Sequence, residues 1–219
     1  MAVRSTSMKL VIGNKNYSSW SMRPWILMHH AGVAFEEVNI SLFTDQGTAM
    51  IDKWCPAKRV PVLHDGPLVL WDSLAICEYI ADKVTNTALW PDHAELRARA
   101  RAMSAEMHAG FSGLRRAMPM NCRRVVSGFT PPLDAQIDIN RIVQLFEDAL
   151  QESGGPWLFG EYSVADAMFA PVASRFTTYQ IKVPTLSQAY VDRTLADKPV
   201  QLWYNQARAE TAVIETSEV

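Results

Sequence analysis

Cysteine is scarce in this chain: Cys55, Cys77 and Cys122 are the only three among 219 residues. An odd number at wide spacing excludes a secreted disulfide scaffold and favours a reducing compartment, so a cytoplasmic protein is expected. An excess of one charge is missing too. Lysine and arginine total 21 against 23 aspartate and glutamate, which excludes a strongly basic nucleic-acid binder and an acidic solvating tail. No run approaches the ~18 uncharged apolar residues of a membrane span, so no membrane partner is expected. The polar start, Met1 to Ser7, carries no apolar core of signal-peptide length. Histidine and cysteine never fall at metal-ligand spacing, and no glycine-rich phosphate loop occurs, so no metal is expected. What is present is 48% hydrophobic and 20% charged residues, the composition of a folded chain with one or two domains.

The first eighty-odd residues mix strand and helix signals. Lys9 to Ile12 reads as a strand ending at Gly13, and Met22 to Ala31 as a helix stopped by Gly32. Phe35 to Ile40, Val60 to Leu63 and Leu68 to Trp71 read as strands, with Asp65-Gly66 as a tight-hairpin signal between the last two. Asp72-Ser73 then opens a helix. The order β-α-β-α-β-β-α is that of a thioredoxin-like α/β domain, expected over 8–84 behind an N-terminal extension at 1–7. Residues 85–91 break the pattern as a linker, and 92–219 read as an all-helical domain. In it Asp92 is expected to cap one long helix to Met118, Pro131-Pro132 to open a second, and Gly154-Gly155-Pro156 to end it. Three further helices are expected at Ser163 to Tyr179, Pro184 to Leu195 and Pro199 to Arg208.

Three local signals could carry chemistry. Tyr17-Ser18-Ser19-Trp20-Ser21-Met22-Arg23 joins the first strand to the first helix, where a helix N-terminus offers free N–H groups and partial positive charge. A redox thioredoxin-like protein places Cys-x-x-Cys here; this chain has serine at both positions, so it has no dithiol of its own. A serine hydroxyl there either caps the helix or donates to a thiolate brought by a ligand. Val60-Pro61 is either an edge proline or a cis bond that leaves the Val60 backbone free to pair with an extended peptide. Asp72-Ser73 is either an N-cap or a seat for an amino-acid head group. Together they specify a short thiol peptide.

With these residues the chain resembles the glutathione S-transferase superfamily over nearly its whole length. The matching motifs are Ser18-Ser19-x-Ser21-x-Arg23, Cys55-Pro56-x-x-Arg59-Val60-Pro61-Val62-Leu63 and Asp72-Ser73-x-Ala75-Ile76-x-Glu78-Tyr79-Ile80. The second half adds a capping box at Ser163 and Asp166, in which each side chain caps the other residue's N–H. The serine run is most similar to the zeta, or maleylacetoacetate isomerase-like, branch, which usually has cysteine where this chain has Trp20.

The resemblance implies a homodimer that binds glutathione and transfers it to a small electrophile, with a glutathione-dependent isomerase or a non-catalytic binding protein as the other family outcomes. It implies Ser18 as the catalytic serine, with Ser19 and Ser21 its close alternatives. Val60 would pair with the cysteinyl unit, Asp72 and Ser73 with the γ-glutamyl end, and Gln46 and Arg59 with the glycine carboxylate. The electrophile pocket would be lined by Tyr17, Trp20, His108, Phe111 and Arg115. At helical spacing Ser104, His108, Phe111 and Arg115 share a face with Arg97 and Arg101. Together with Arg99, Arg116, Arg123 and Arg124 these arginines are either a solvated face or an attraction for anionic co-substrates.

Overall fold

A computed structural model describes residues 8–218; the extension expected at 1–7 lies outside the described residues. The chain begins β1 (Met8–Gly13), α1 (Ser19–His30), β2 (Phe35–Ile40), α2 (Asp45–Trp54), β3 (Val62–Asp65), β4 (Leu68–Trp71), α3 (Ser73–Lys83). The four strands form one mixed sheet in the order β2-β1-β3-β4. β1 runs parallel to β2, with Val11 opposite Val38, and antiparallel to β3, with Val11 opposite Val62. Strand periodicity sends alternate side chains to opposite faces. Leu10, Ile12 and Leu63 join the main core with Trp25 and Ile26 of α1 and Ile76 and Ile80 of α3. Val11 and Val62 face the other way, onto Ile40, Cys55 and the partly buried Met50 and Ile51 of α2. Covered on both faces, β1 is apolar almost throughout. α1 begins three residues earlier than its apolar pattern, at Ser19 with Ser18 as N-cap. β3 begins after Pro61, which has no N–H to give a ladder.

Residues 84–93 form neither helix nor strand, yet Leu89 is buried and its carbonyl accepts from Val164 N at 2.9 Å. The helices that follow are α4 (Ala94–Ala109), α5 (Ser112–Ala117), α6 (Leu133–Ser153), α7 (Val164–Thr178), α8 (Thr185–Ala196) and α9 (Lys198–Ala209), with a short 3-10 turn at Glu215–Ser217. α7 is apolar on nearly every side and buried along its length, packed against α1, α4 and α8, as a helix at the centre of a core must be.

The single helix expected from Asp92 to Met118 is two. Asp92 does not cap it: the N-cap is His93, without a side-chain bond, and the Asp92 carbonyl accepts from Arg97 Nη1 at 2.7 Å. The break falls at Gly110, which is extended, and Phe111, whose φ of 60° is left-handed. The Arg115 side chain turns back to donate to the carbonyls of Gly110 and Met107, satisfying the end of α4. Asp138 of α6 accepts from Leu114 N at 2.9 Å, anchoring α5 against α6. Helical spacing across the break therefore does not hold. His108 stays on α4, Phe111 turns into the core, and Arg115 stands on a separate helix. No helix among the described residues is long and apolar enough to cross a membrane.

Candidate functional site

A cavity of about 500 Å³ opens where β3, β4, α3, α1 and α4 converge. Arg59, Val60 and Pro61 line it from the chain entering β3, and Trp71 from the end of β4. Asp72 and Ser73 line it at the start of α3, Trp20 at the start of α1, and His108 from α4. The Val60–Pro61 bond is cis, and neither Val60 N–H nor its carbonyl makes a hydrogen bond among the described residues. A more open hollow of about 660 Å³ lies at His29, His30, Trp157 and Asp197; it holds none of the predicted residues.

Asp72 is the N-cap of α3. Its Oδ1 accepts from Leu74 N at 2.9 Å and Ala75 N at 3.3 Å, and its Oδ2 lies 3.0 Å from His108 Nε2. Its backbone has φ 77°, a conformation that costs a non-glycine residue about 1–3 kcal/mol and persists only where the surroundings enforce it. The neighbouring Ser73 hydroxyl is buried with no partner among the described residues.

The serines at the start of α1 sit beneath the cavity wall rather than in it. Ser18 Oγ accepts from Ser21 N at 3.4 Å and lies 2.8 Å from Ser21 Oγ, which in turn accepts from Gly13 N at 3.1 Å. Ser19 Oγ accepts from Arg175 Nη2 at 3.3 Å. Above them Trp20, 36% exposed, carries the guanidiniums of Arg23 and Arg115 over its ring at 4.3 and 4.5 Å from the centroid. Arg23 is wholly buried; its Nε donates to Met168 O at 3.2 Å, while Nη1 and Nη2 have no partner among the described residues. Burial pulls Arg23 well below the ordinary arginine value, with Arg115 and Arg175 adding to the effect. Burial likewise lowers Arg175, to about 9. All three stay charged at neutral pH, and none forms a salt bridge among the described residues. The N-terminus of α1 thus lies in a positive field beyond its own dipole, a setting that favours an anion.

Other predicted residues lie elsewhere. The Tyr17 hydroxyl accepts from Arg123 Nη2 at 2.8 Å and reaches Glu218 Oε1 at 2.5 Å. Gln46 is exposed on the first turn of α2, and Phe111 is core. The arginine set divides into local pairs: Arg99 with Glu152, Arg101 with Glu78, Arg116 with Asp134 and Arg124 with Glu218. Arg175 escaped the sequence reading. Its signal was available: it is the one basic residue of α7, a mostly apolar helix whose only other charged residue is Asp166 in its first turn.

The three cysteines are free and buried. Burial raises Cys55 to about 11 and Cys122 to about 12, and lifts Cys77 further. Thiolate is the reactive form, so the native chain is expected to leave an aromatic disulfide reagent essentially untouched over minutes at neutral pH, and to release three equivalents once unfolded. A fast-reacting thiol in the native chain would contradict the burial.

Residues 17–83 match the family model described as "Glutathione S-transferase, N-terminal domain". The chain is 27% identical over 187 residues to the probable maleylacetoacetate isomerase of Caenorhabditis elegans, covering 83% of this chain and 86% of that one. It is 28% identical over 188 residues to maleylacetoacetate isomerase of Rattus norvegicus, covering 78% and 81%. A Burkholderia glutathione transferase homologue, solved with bound glutathione, superposes with a TM-score of 0.71 at 24% identity, over 94% of this chain and all of that one. Fold, N-terminal domain and relatives all point to the glutathione S-transferase superfamily, and the maleylacetoacetate isomerase relatives to its zeta-like branch.

Proposed function

We propose that this chain is a glutathione transferase: it binds glutathione in the cavity at Val60 and Asp72, stabilises the thiolate and passes it to a small electrophile. The observation that carries the reading is the convergence, on one cavity, of an unpaired backbone edge at Val60 and a capped helix start at Asp72-Ser73 beside the start of α1. An extended tripeptide needs those contacts in that order. Val60 pairs with the cysteinyl backbone. Asp72 takes the α-ammonium, and the Ser73 N–H and hydroxyl take the α-carboxylate at the head of α3. Arg59, in the cavity lining, meets the glycine carboxylate; Gln46, outside that lining on α2, is assigned to the same carboxylate.

The thiol then lies toward the start of α1. A free thiol titrates near ~8.5, and lowering it by ~2 units requires ~2.7 kcal/mol. One hydrogen bond to a charged group supplies about 1.5–3 kcal/mol. We assign that bond to Ser18, the N-cap of α1 beside the cavity wall. Without ligand the Ser18 hydroxyl donates to Ser21 Oγ, which also accepts from Gly13 N; an incoming thiolate draws the Ser18 proton to itself, and the Ser21 hydroxyl can donate to Ser18 Oγ in its place across the same 2.8 Å contact. Arg23, Arg115 and Arg175 favour the same anion through space. The reading takes 8–84 as the glutathione-binding domain and 92–219 as the helical domain, in a cytoplasmic homodimer.

A second reading, glutathione-dependent cis-trans isomerisation, is favoured by the isomerase relatives. One assay separates the two. Halo-aromatic, peroxide and maleyl substrates are supplied with glutathione, and thiol loss is followed beside product. A transferase consumes glutathione mole for mole; an isomerase converts the maleyl acid and leaves glutathione unchanged. A chain that is not retained on immobilised glutathione sinks both.

A further inference from the structure

The Asp72 carboxylate meets a group that the tripeptide reading does not use. His108 comes from α4, 36 positions along the chain, and places Nε2 3.0 Å from Asp72 Oδ2. The Nδ1 of the same ring is buried and has no partner among the described residues. With a carboxylate at Nε2 and no acceptor at Nδ1, the neutral ring keeps its proton on Nε2 and donates it to Asp72. Trp20 stands edge-on to the ring at 5.4 Å between centroids, so the imidazole has a packed wall on its cavity side. A carboxylate has about four lone-pair positions. Leu74 N and Ala75 N occupy those of Oδ1, and His108 occupies one on Oδ2. One remains, and Asp72 and His108 are both partly exposed to the cavity where it opens.

We propose that His108 is a positioning residue for the amino-acid head group of the peptide ligand: its Nε2–H fixes the second oxygen of Asp72, leaving a single, directed acceptor for the ligand's α-ammonium. This rests on the glutathione reading above. The consequence is that discrimination for the γ-glutamyl end is shared between the α3 N-terminus and α4 of the same subunit. Without the histidine, Oδ2 turns toward water, and the ammonium meets a mobile, hydrated carboxylate.

The test compares glutathione with cysteinylglycine, which lacks the γ-glutamyl head group, on the whole chain. His108→Leu is expected to raise KM for glutathione roughly tenfold, the scale of one lost charge-assisted hydrogen bond, with kcat at saturating glutathione within about twofold. Cysteinylglycine, which has no γ-glutamyl ammonium to meet Asp72, should lose clearly less than glutathione does. His108→Gln, whose amide N–H reaches toward the Nε2 position, should restore glutathione KM to within about threefold of wild type. Should His108→Leu fail to fold, His108→Asn takes its place with the same expectation, because its amide reaches only as far as Nδ1. Equal losses with both peptides, or no rescue by Gln, mean a merely structural latch and overturn the proposal. A fall in kcat with KM unchanged also overturns it, in favour of a proton-transfer role. Wild type that binds glutathione, with His108→Leu binding it equally well, overturns this inference alone. Wild type that binds no glutathione overturns the parent reading and this one together.

Discussion

Replacing Ser18 with alanine is expected to lower turnover with glutathione by about 10- to 1000-fold, the range for loss of one preorganised donor to a developing or resident anion. The mechanism fixes where the loss shows. In the proposed binding mode glutathione affinity rests mostly on Val60, Asp72 and Ser73, so binding should change little. The pKa of the bound thiol, read from the ultraviolet absorbance of the thiolate against pH, should rise toward that of the free peptide. Ser18 also caps α1 through Ser21 N, so a stability loss of about 1 kcal/mol accompanies the kinetic one. The neighbouring serines are the controls. Ser21 is fully buried and holds Gly13 N, so Ser21→Ala should act on stability first. Ser19 Oγ is already engaged by Arg175. If Ser18→Ala keeps full activity and an unshifted thiol, the donor is another residue, and Ser19 is the next to replace.

Asp166→Ala is expected to cost about 3–5 kcal/mol of folding stability in a urea titration at pH ~7, the scale of several buried donors left without an acceptor. The carboxylate is buried in the centre of the protein and accepts from Leu158 N at 3.1 Å, Ser163 N at 2.9 Å and Ser163 Oγ at 3.1 Å. It is one half of the box that starts α7. Alanine leaves those donors buried without acceptors, each worth about 1–3 kcal/mol. The effect has a pH signature of unusual sign. Burial raises the folded pKa of Asp166 from the ordinary 3.8 to about 6. The native state therefore binds more protons than the unfolded chain between about pH 4 and 6, and this group's contribution to stability increases as pH falls through that window. Above pH ~6 the charge is carried at a desolvation cost that its hydrogen bonds only partly offset. Subtracting the Asp166→Ala profile from that of wild type should isolate this rise. A loss below ~1 kcal/mol at neutral pH, or a difference that shrinks on acidification from pH 6 to 4, would count against the network as described.

Much of the fold could be read from short stretches of chain. The hairpin at Asp65-Gly66, the stop at Gly154 and the box at Ser163 and Asp166 are each decided within a few residues by turn conformation, a left-handed cap or a pair of N–H groups. The break between α4 and α5 was not legible, because the 94–117 stretch keeps helical periodicity through Gly110. What bends it is distant: Asp138 of α6 holds the start of α5, while Arg115 satisfies the carbonyls left open.

The candidate site divides in the same way. Sequence by itself determined which motifs are present, their order along a thioredoxin-like half and a helical half, and that no cysteine stands where a dithiol would. Tertiary structure alone decided which side chains face the cavity. It put Trp20 in the wall and the three serines beneath it, sent Tyr17 to the C-terminal segment, and turned Phe111 into the core. It also brought Arg175 to Ser19 across 156 positions and His108 to Asp72 across 36. The physical reason is range. Caps, turns and periodicity are set by neighbours in the chain, whereas burial, charge pairing and the facing of a side chain depend on which helix packs against which. A buried guanidinium or a carboxylate's second oxygen finds its partner only once those helices have met.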